Sequence, residues 1–145
     1  MREYFRASTT AVNAVVMPVM SRYQDRLETK LRTSGFSTGL HLMTSSGGVM
    51  SSSIAKREPV HLIESGPAAG VTAAAYLGSV AGHPDVISFD MGGTTAKLGL
   101  VEAGTPRVSP HLEVGASANS DDIASGYPVR TPVVDLVEIG AGGGS

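Results

Sequence analysis

The chain has 145 residues, of which 41% are hydrophobic, and this length and composition fit one ordinary domain with a buried core. Its formal net charge is −2 with both signs scattered, which gives no reason to expect a nucleic-acid or membrane partner, and no run approaches the roughly 18 apolar residues of a membrane span. The absence of cysteine excludes a disulfide framework and a thiolate metal site, and it fits a cytoplasmic location.

The first periodic segment lies between residues 8 and 31, where apolar side chains recur every three or four positions. This spacing predicts a long amphipathic helix. Ser8 or Thr9 is the expected N-cap, and Gly35 is the expected left-handed residue that ends the helix. Pro18 predicts a kink or a break within it.

The next segments are short. Residues 40–44 are apolar and precede a pair of glycines at 47–48, so we expect a buried strand that ends in a glycine turn. A brief helical turn is expected near Ile54. The stretch "VHLIE", residues 60–64, indicates a second short strand.

A helix of small residues is expected to follow. Ser65 or Gly66 is its predicted cap, and it should run to about Ala81, with Gly82 as its stop. Its alanines and glycines would let a sheet approach the helix axis closely. The free amides at its N-terminus could also hold an anion, and the sequence leaves both interpretations open.

The second half of the chain is predicted to be rich in strands. Apolar runs at 86–90 and 98–102 form the arms of a hairpin, and 108–114 and 133–139 are further strands, most simply in a meander. Residues 115–126 have almost no apolar content and are expected to form an exposed, mobile loop. Helices that alternate with strands favour an α/β or α+β fold.

The hairpin turn carries the motif "DMGGTT", residues 90–95. A phosphate site needs inward-pointing amides, no bulky side chain, and a carboxylate that holds a cation. Gly92 and Gly93 supply the first two, Thr94 and Thr95 add hydroxyl donors, and Asp90 could hold Mg²⁺. The alternative is a plain hairpin in which the two glycines only satisfy the turn geometry.

The chain ends in "GAGGGS" directly after an expected strand. Gly140, Gly142 and Gly143 are candidate cofactor-binding residues on this loop, although the third glycine of a dinucleotide fingerprint is missing. We expect a helix-rich connecting part over residues 1–85 and a β-rich part over 86–145. We also expect a chain truncated at its C-terminus, because nothing remains to follow this loop.

Other chemistries have little support. The four histidines lack metal-ligand spacing, and the serines near glycines do not match the G-x-S-x-G elbow of serine hydrolases. Asp135 and Glu138 would face opposite sides of a strand and could not readily share a metal.

Taken in order, five blocks of the sequence resemble the hydantoinase A/oxoprolinase family. The blocks are "REYFRASTTAVNAVVMPVM", "LHLMTSSGGVM", "HLIESGPAAGV", "ISFDMGGTTAKLGLV" and "YPVRTPVVDLVEIGAGGGS". The family includes ATP-dependent N-methylhydantoinase, 5-oxoprolinase and a subunit of acetone carboxylase. The resemblance implies an α/β chain with a mixed sheet and flanking helices, as an internal fragment of an actin/hexokinase-like (ribonuclease-H-like) ATPase fold.

The resemblance also implies a function. The parent protein would be an ATP- and Mg²⁺-dependent hydrolase that opens a cyclic amide such as a hydantoin or 5-oxoproline ring, together with a second hydantoinase-type subunit. It would place Asp90 at the metal and Gly92, Gly93, Thr94 and Thr95 at the phosphate. The alternatives are part of an acetone carboxylase-type ligase or a non-catalytic structural fragment. Lys97 stands where the commoner family wording has aspartate, which favours the methylhydantoinase and acetone carboxylase branch.

Overall fold

The structure is a computed structural model that describes residues 2–115 and 126–144. The loop expected at 115–126 therefore lies almost wholly outside the described residues. The helical elements are α1 (Arg2–Thr33), α2 (Ser52–Ala55), a 3₁₀ turn (Pro59–Leu62) and α3 (Ser65–Val80). The strands are β1 (His41–Met43), β2 (Val49–Ser51), β3 (Val86–Met91), β4 (Ala96–Glu102), β5 (Thr105–Pro106), β6 (Val108–Ser109), β7 (Leu112–Val114), β8 (Tyr127–Val129), β9 (Val133–Val134) and β10 (Leu136–Ile139).

The chain divides into two compact units, each built from several segments. Unit 1 takes its residues from 1–42, 50–62 and 110–131, and unit 2 takes its residues from 43–49, 63–109 and 132–145. Within the described ranges, no helix is both long enough and apolar enough to cross a bilayer.

The long helix of unit 1 begins earlier than the capping pattern predicts. It starts at Arg2, so Ser8 and Thr9 lie inside it, and the predicted N-cap is wrong. The Thr9 hydroxyl donates to the Phe5 carbonyl at 2.8 Å and accepts the Arg130 amide at 2.8 Å. The threonine predicted as an N-cap therefore accepts a hydrogen bond from a residue far along the chain instead.

The end of α1 follows the prediction more closely. Gly35 has a φ of +90°, and the Phe36 amide donates to the Leu31 carbonyl at 3.0 Å, which closes the helix in a left-handed turn. The helix continues through Pro18 without a break.

The predicted strand at 60–64 is wrong, since this stretch begins with the 3₁₀ turn. The chain cannot form a ladder bond at Pro59, which has no amide hydrogen. The next amide, that of Val60, donates to the Asn13 side chain of α1 at 3.1 Å. A side-chain acceptor on the helix therefore replaces the strand partner. The predictions of a strand at β1, of a helical turn near Ile54 and of a helix at α3 are confirmed. Two details are wrong: β1 contains no buried residue, and the N-cap of α3 is Glu64 rather than Ser65 or Gly66.

Unit 2 is built on an antiparallel sheet in the order β10, β4, β3, and β5 pairs with the far end of β4. These pairings are antiparallel, where we expected a mixed sheet. One face of the sheet packs on α3. The buried core of this unit consists of Ala68, Val71, Ala75, Val101 and Val134.

The small side chains of α3 and of the sheet permit this close packing. A Cβ placed on Gly99 of β4 would lie 2.3 Å from Val71 Cγ2, well inside van der Waals contact. Glycine at position 99 therefore lets the helix lie against β4.

The expected third strand of the meander is not continuous. Residues 108–114 divide at Pro110 into β6, which pairs with β9, and β7, which pairs with β8. The partner of β4 opposite β3 is instead β10. The run 133–139 also divides, because the Asp135 amide donates to the Arg107 carbonyl at 2.8 Å rather than joining the ladder of β10.

Candidate functional site

The motif "DMGGTT" forms the end of the β3–β4 hairpin. Met91 pairs with Ala96 as the last rung of the ladder, and the Gly92 amide closes the turn by donating to the Thr95 carbonyl at 2.9 Å. We call residues 92–95 the hairpin turn. Its first three residues are exposed.

Neither glycine of the hairpin turn is required by the local backbone. Gly92 and Gly93 are absent from the residues with positive φ, so the turn does not use the conformation that favours glycine. A Cβ on Gly93 would meet no atom within 4 Å, and one on Gly92 would meet only the Thr95 carbonyl oxygen at 3.8 Å. The plain-hairpin explanation of these glycines thus loses its physical basis, and open space remains above the turn.

Two amides of the hairpin turn have no acceptor among the described residues. These are the amides of Gly93 and Thr95. In the described residues these two residues form hydrogen bonds only through their carbonyl oxygens, which accept from the Gly144 and Gly92 amides. Two free amides beside open space are the arrangement that an anion such as phosphate needs.

Asp90 stands at the end of β3, next to the hairpin turn. Its side chain is exposed and forms no hydrogen bond or ion pair with any residue that the structure describes. The same residues contain no group of three histidine or carboxylate side chains that could hold a metal. Mg²⁺ is commonly bound by one or two carboxylates together with water and substrate phosphates. Asp90 and the free amides therefore fit a phosphate with its cation, and they do not fit an all-protein metal cage.

The glycine loop, residues 140–144, lies directly against the hairpin turn. The amides of Gly142, Gly143 and Gly144 donate to the carbonyls of Thr94, Gly92 and Gly93 at 3.0, 3.0 and 2.8 Å respectively. The predicted phosphate and glycine-rich residues thus meet in one place.

These contacts use the amides that the glycine loop could have offered to a ligand. Gly142 is buried, and a Cβ there would lie 2.4 Å from the backbone N and C of Thr94. Gly140 is exposed, and a Cβ there would meet nothing within 4 Å. In this arrangement Gly142 and Gly143 hold the hairpin turn through backbone hydrogen bonds to its carbonyl oxygens.

A third element, the N-terminus of α3, is held near the same end of the sheet. Glu64 precedes α3 with φ 64° and ψ 17°, a left-handed conformation that costs a non-glycine residue roughly 1–2 kcal/mol. Its carboxylate accepts a hydrogen bond from Lys97 Nζ, and the Glu138 carboxylate lies 3.3 Å from the same nitrogen. Lys97 is the residue of β4 directly opposite Asp90.

The Lys97 ammonium is well held in this network. Burial lowers the pKa of Lys97, but the hydrogen bond and charge of Glu64, followed by those of Glu138, outweigh burial and raise the pKa above its ordinary value of 10.5. Lys97 therefore carries its charge throughout the physiological range.

The sequence patterns missed Glu64 and the ion pairs of Lys97. One feature of the sequence could have indicated these ion pairs. A lysine in an otherwise apolar strand needs an acidic partner on the buried face, and Glu138 lies in another predicted strand. Asp135 pairs with Arg107 at 3.3 Å, and Glu138 pairs with Lys97 at 3.3 Å, so these two carboxylates have different partners.

The Hydantoinase/oxoprolinase family model matches residues 6–145, and the chain belongs to this family. A protein of Methanocaldococcus jannaschii is 42% identical over 146 residues, covering 99% of this chain and 22% of the relative. The caprolactamase subunit alpha of Pseudomonas jessenii is 33% identical, covering 99% of this chain and 19% of that protein. The chain therefore spans about a fifth of the length of these relatives.

Two solved structures share the fold. The crystal structure of the ATP-dependent caprolactamase from Pseudomonas jessenii matches with a TM-score of 0.74 and 32% identity, over 100% of this chain and 20% of that one. A nucleotide-free acetone carboxylase structure matches with a TM-score of 0.65 and 26% identity, over 81% of this chain and 15% of that one. The expected α/β fold class and family are confirmed, and both solved relatives are ATP-dependent enzymes.

Proposed function

We propose that the complete protein is an ATP- and Mg²⁺-dependent enzyme that opens a cyclic amide, and that this chain supplies one of its phosphate-binding hairpins. The observation that carries the proposal is the hairpin turn, where two amides and a carboxylate without partners in the described ranges meet beside open space. A bound nucleotide with its cation would supply the phosphoryl group that activates the amide oxygen.

The residues of this chain would bind and orient. Asp90 would hold the cation at the end of β3, and the amides of Gly93 and Thr95 would donate to a phosphate oxygen. The hydroxyls of Thr94 and Thr95 would add donors from the same turn. Fixed donors of this kind, placed where negative charge accumulates, are the main requirement of phosphoryl transfer.

The glycines have distinct roles in this proposal. Gly92 and Gly93 would keep the surface of the hairpin turn open to the phosphate, while the amides of Gly142 and Gly143 hold the turn by hydrogen bonds. An added Cβ on Gly140 would meet nothing within 4 Å, so its surroundings leave room both for a ligand and for an alanine methyl group. A turn supported in this way would lose little freedom on binding.

The cyclic-amide substrate is favoured over a ketone because caprolactamase is the more similar of the two named enzymes in both sequence and structure. Carboxylation is the alternative, supported by the weaker match to acetone carboxylase. The caprolactamase relative is named as subunit alpha, and a relative in Xanthobacter autotrophicus, 26% identical over 99% of this chain, is named as the acetone carboxylase beta subunit. We therefore also propose that the protein works with a second subunit. We place it in the cytoplasm, where ATP is available.

The test measures ATP hydrolysis by the complete protein with a panel of lactams, hydantoins and 5-oxoproline, and separately with ketones and bicarbonate. We expect a cyclic amide to stimulate ATP hydrolysis, and Asp90→Asn to abolish the stimulation. The matched control is Glu102→Gln, an exposed carboxylate at the other end of β4. Stimulation only by a ketone with bicarbonate would move the assignment to a carboxylase, and equal rates for the two variants would remove Asp90 from the site.

A further inference from the structure

Three charged residues form a row across the sheet of unit 2. Asp90 on β3 and Glu138 on β10 are each directly opposite Lys97 on β4. Residues directly opposite in an antiparallel sheet present their side chains on the same face. Gly99, two residues further along β4, faces Val71, so the row lies on the face that packs against α3.

Lys97 divides the acidic residues around it into two kinds. Its side chain is 15% exposed, and its ammonium pairs with Glu64 and Glu138. Asp90, its other cross-strand neighbour, keeps no partner among the described residues. The ammonium thus neutralises part of the charge of two carboxylates and leaves the third, next to the hairpin turn, available.

The same ammonium joins the elements that surround the hairpin turn. Glu64 is the residue before α3, and Glu138 stands two residues before the glycine loop, whose amides support the turn. Lys97 itself is the second residue of β4, the strand that follows the turn. One side chain of β4 therefore pairs with the residue before α3 and with the strand that leads to the glycine loop.

We infer that Lys97 is a positioning residue for the phosphate site, which holds the glycine loop against the hairpin turn and leaves Asp90 as the carboxylate that meets the cation. This inference rests on the proposed function of the hairpin turn. Without the ammonium, Glu64 and Glu138 would place two further negative charges close to a polyanionic ligand, and the salt bridge that supplements the backbone pairing of β10 with β4 would be lost.

The experiment uses the complete protein and four forms of it: wild type, Lys97→Met, Lys97→Arg and the triple variant Lys97→Met with Glu64→Gln and Glu138→Gln. Isothermal titration measures the affinity for Mg-ATP, and hydrogen exchange measures the protection of residues 140–144. Methionine keeps the length of the side chain without the charge. Arginine keeps the charge and can pair with both carboxylates.

We expect Lys97→Met to weaken Mg-ATP binding by about tenfold or more, a size typical of breaking a contact network, and to speed exchange across residues 140–144. Lys97→Arg should stay within about threefold of wild type in affinity and should restore the protection. The triple variant should bind more tightly than Lys97→Met, because it no longer places two uncompensated carboxylates beside the ligand. A merely space-filling lysine would not give this order of affinities.

The inference is overturned if Lys97→Met matches wild type in both affinity and exchange, or if the triple variant binds no better than Lys97→Met. Should Lys97→Met fail to fold, Glu138→Gln provides the same comparison, since Glu138 is half exposed. Faster exchange across 140–144 in that variant supports the inference, and unchanged exchange overturns it. A wild type that binds no Mg-ATP would overturn the proposed function, while the exchange comparison would still decide whether Lys97 holds the loop.

Discussion

Gly142→Ala is the substitution that probes the support of the hairpin turn most sharply. The added Cβ would lie 2.4 Å from the backbone N and C of Thr94 and 2.5 Å from the carbonyl carbon of Gly93. These are backbone atoms, which cannot turn aside as the end of a flexible side chain can. The glycine loop must therefore move away from the hairpin turn.

The size of the effect follows from the hydrogen bonds that this movement breaks. Three backbone hydrogen bonds join residues 142–144 to the turn. A typical intramolecular hydrogen bond contributes a net 0.5–1.5 kcal/mol, so losing all three would remove roughly 1.5–4.5 kcal/mol of support. If about 1.4 kcal/mol of this support is expressed in binding, the affinity for Mg-ATP falls about tenfold.

Two neighbouring glycines provide matched controls. A Cβ on Gly143 would lie 3.9 Å from the Gly92 oxygen, an ordinary contact, and one on Gly140 would meet nothing within 4 Å. Isothermal titration of the complete protein should show a clear loss for Gly142→Ala and little change for Gly143→Ala and Gly140→Ala. Equal affinities for all three alanine variants would refute the reasoning that the loop supports the turn.

One further substitution tests the packing in unit 2, and another tests a charged side chain of unit 1. Gly99→Ala should lower the free energy of unfolding by about 1–3 kcal/mol, because the added Cβ overlaps Val71. Adding Val71→Ala should recover part of this loss, as measured by urea unfolding. Full stability of the single variant would contradict this packing. The nearby Ser52 side chain and the Lys56 ammonium, whose Nζ donates to Glu28 Oε2 at 2.9 Å, lower the pKa of Glu28 below its ordinary value of 4.5. Glu28 therefore contributes stability above that pH and loses it as the pH falls through the lowered pKa. Glu28→Gln should therefore unfold with a weaker pH dependence below about pH 4.5 than wild type, as followed by circular dichroism, and an unchanged profile would show that this carboxylate does not contribute.

The local elements of the candidate site could be predicted from the sequence. The apolar runs on either side of "DMGGTT" predict the hairpin, and the small residues after Ser65 with a stop at Gly82 predict α3. These features depend on neighbouring residues, so a single sequence contains the information. The roles proposed for Asp90 and the two glycines of the turn rest on the same short stretch of sequence, and they stay a prediction.

The contacts that assemble the site could not be predicted. Residues 92–94 and 142–144 are far apart in the chain, and nothing in glycine composition says that the amides of one stretch bind the carbonyls of the other. The salt bridge from Lys97 to Glu64 likewise joins two elements whose proximity depends on how α3 packs on the sheet. At Thr9 the capping preference was outweighed by a bond to the Arg130 amide. In each case a distant partner decided the outcome.

The most direct test of the central claim is hydrogen exchange across residues 91–96 of the complete protein, with and without saturating Mg-ATP. The amides of Gly93 and Thr95 have no acceptor in the part of the chain that the structure describes, so a bound phosphate should slow their exchange. The amides of residues 142–144, already bonded to the hairpin turn, should change much less. Binding of Mg-ATP that slows exchange elsewhere and leaves residues 91–96 unaffected would contradict the account.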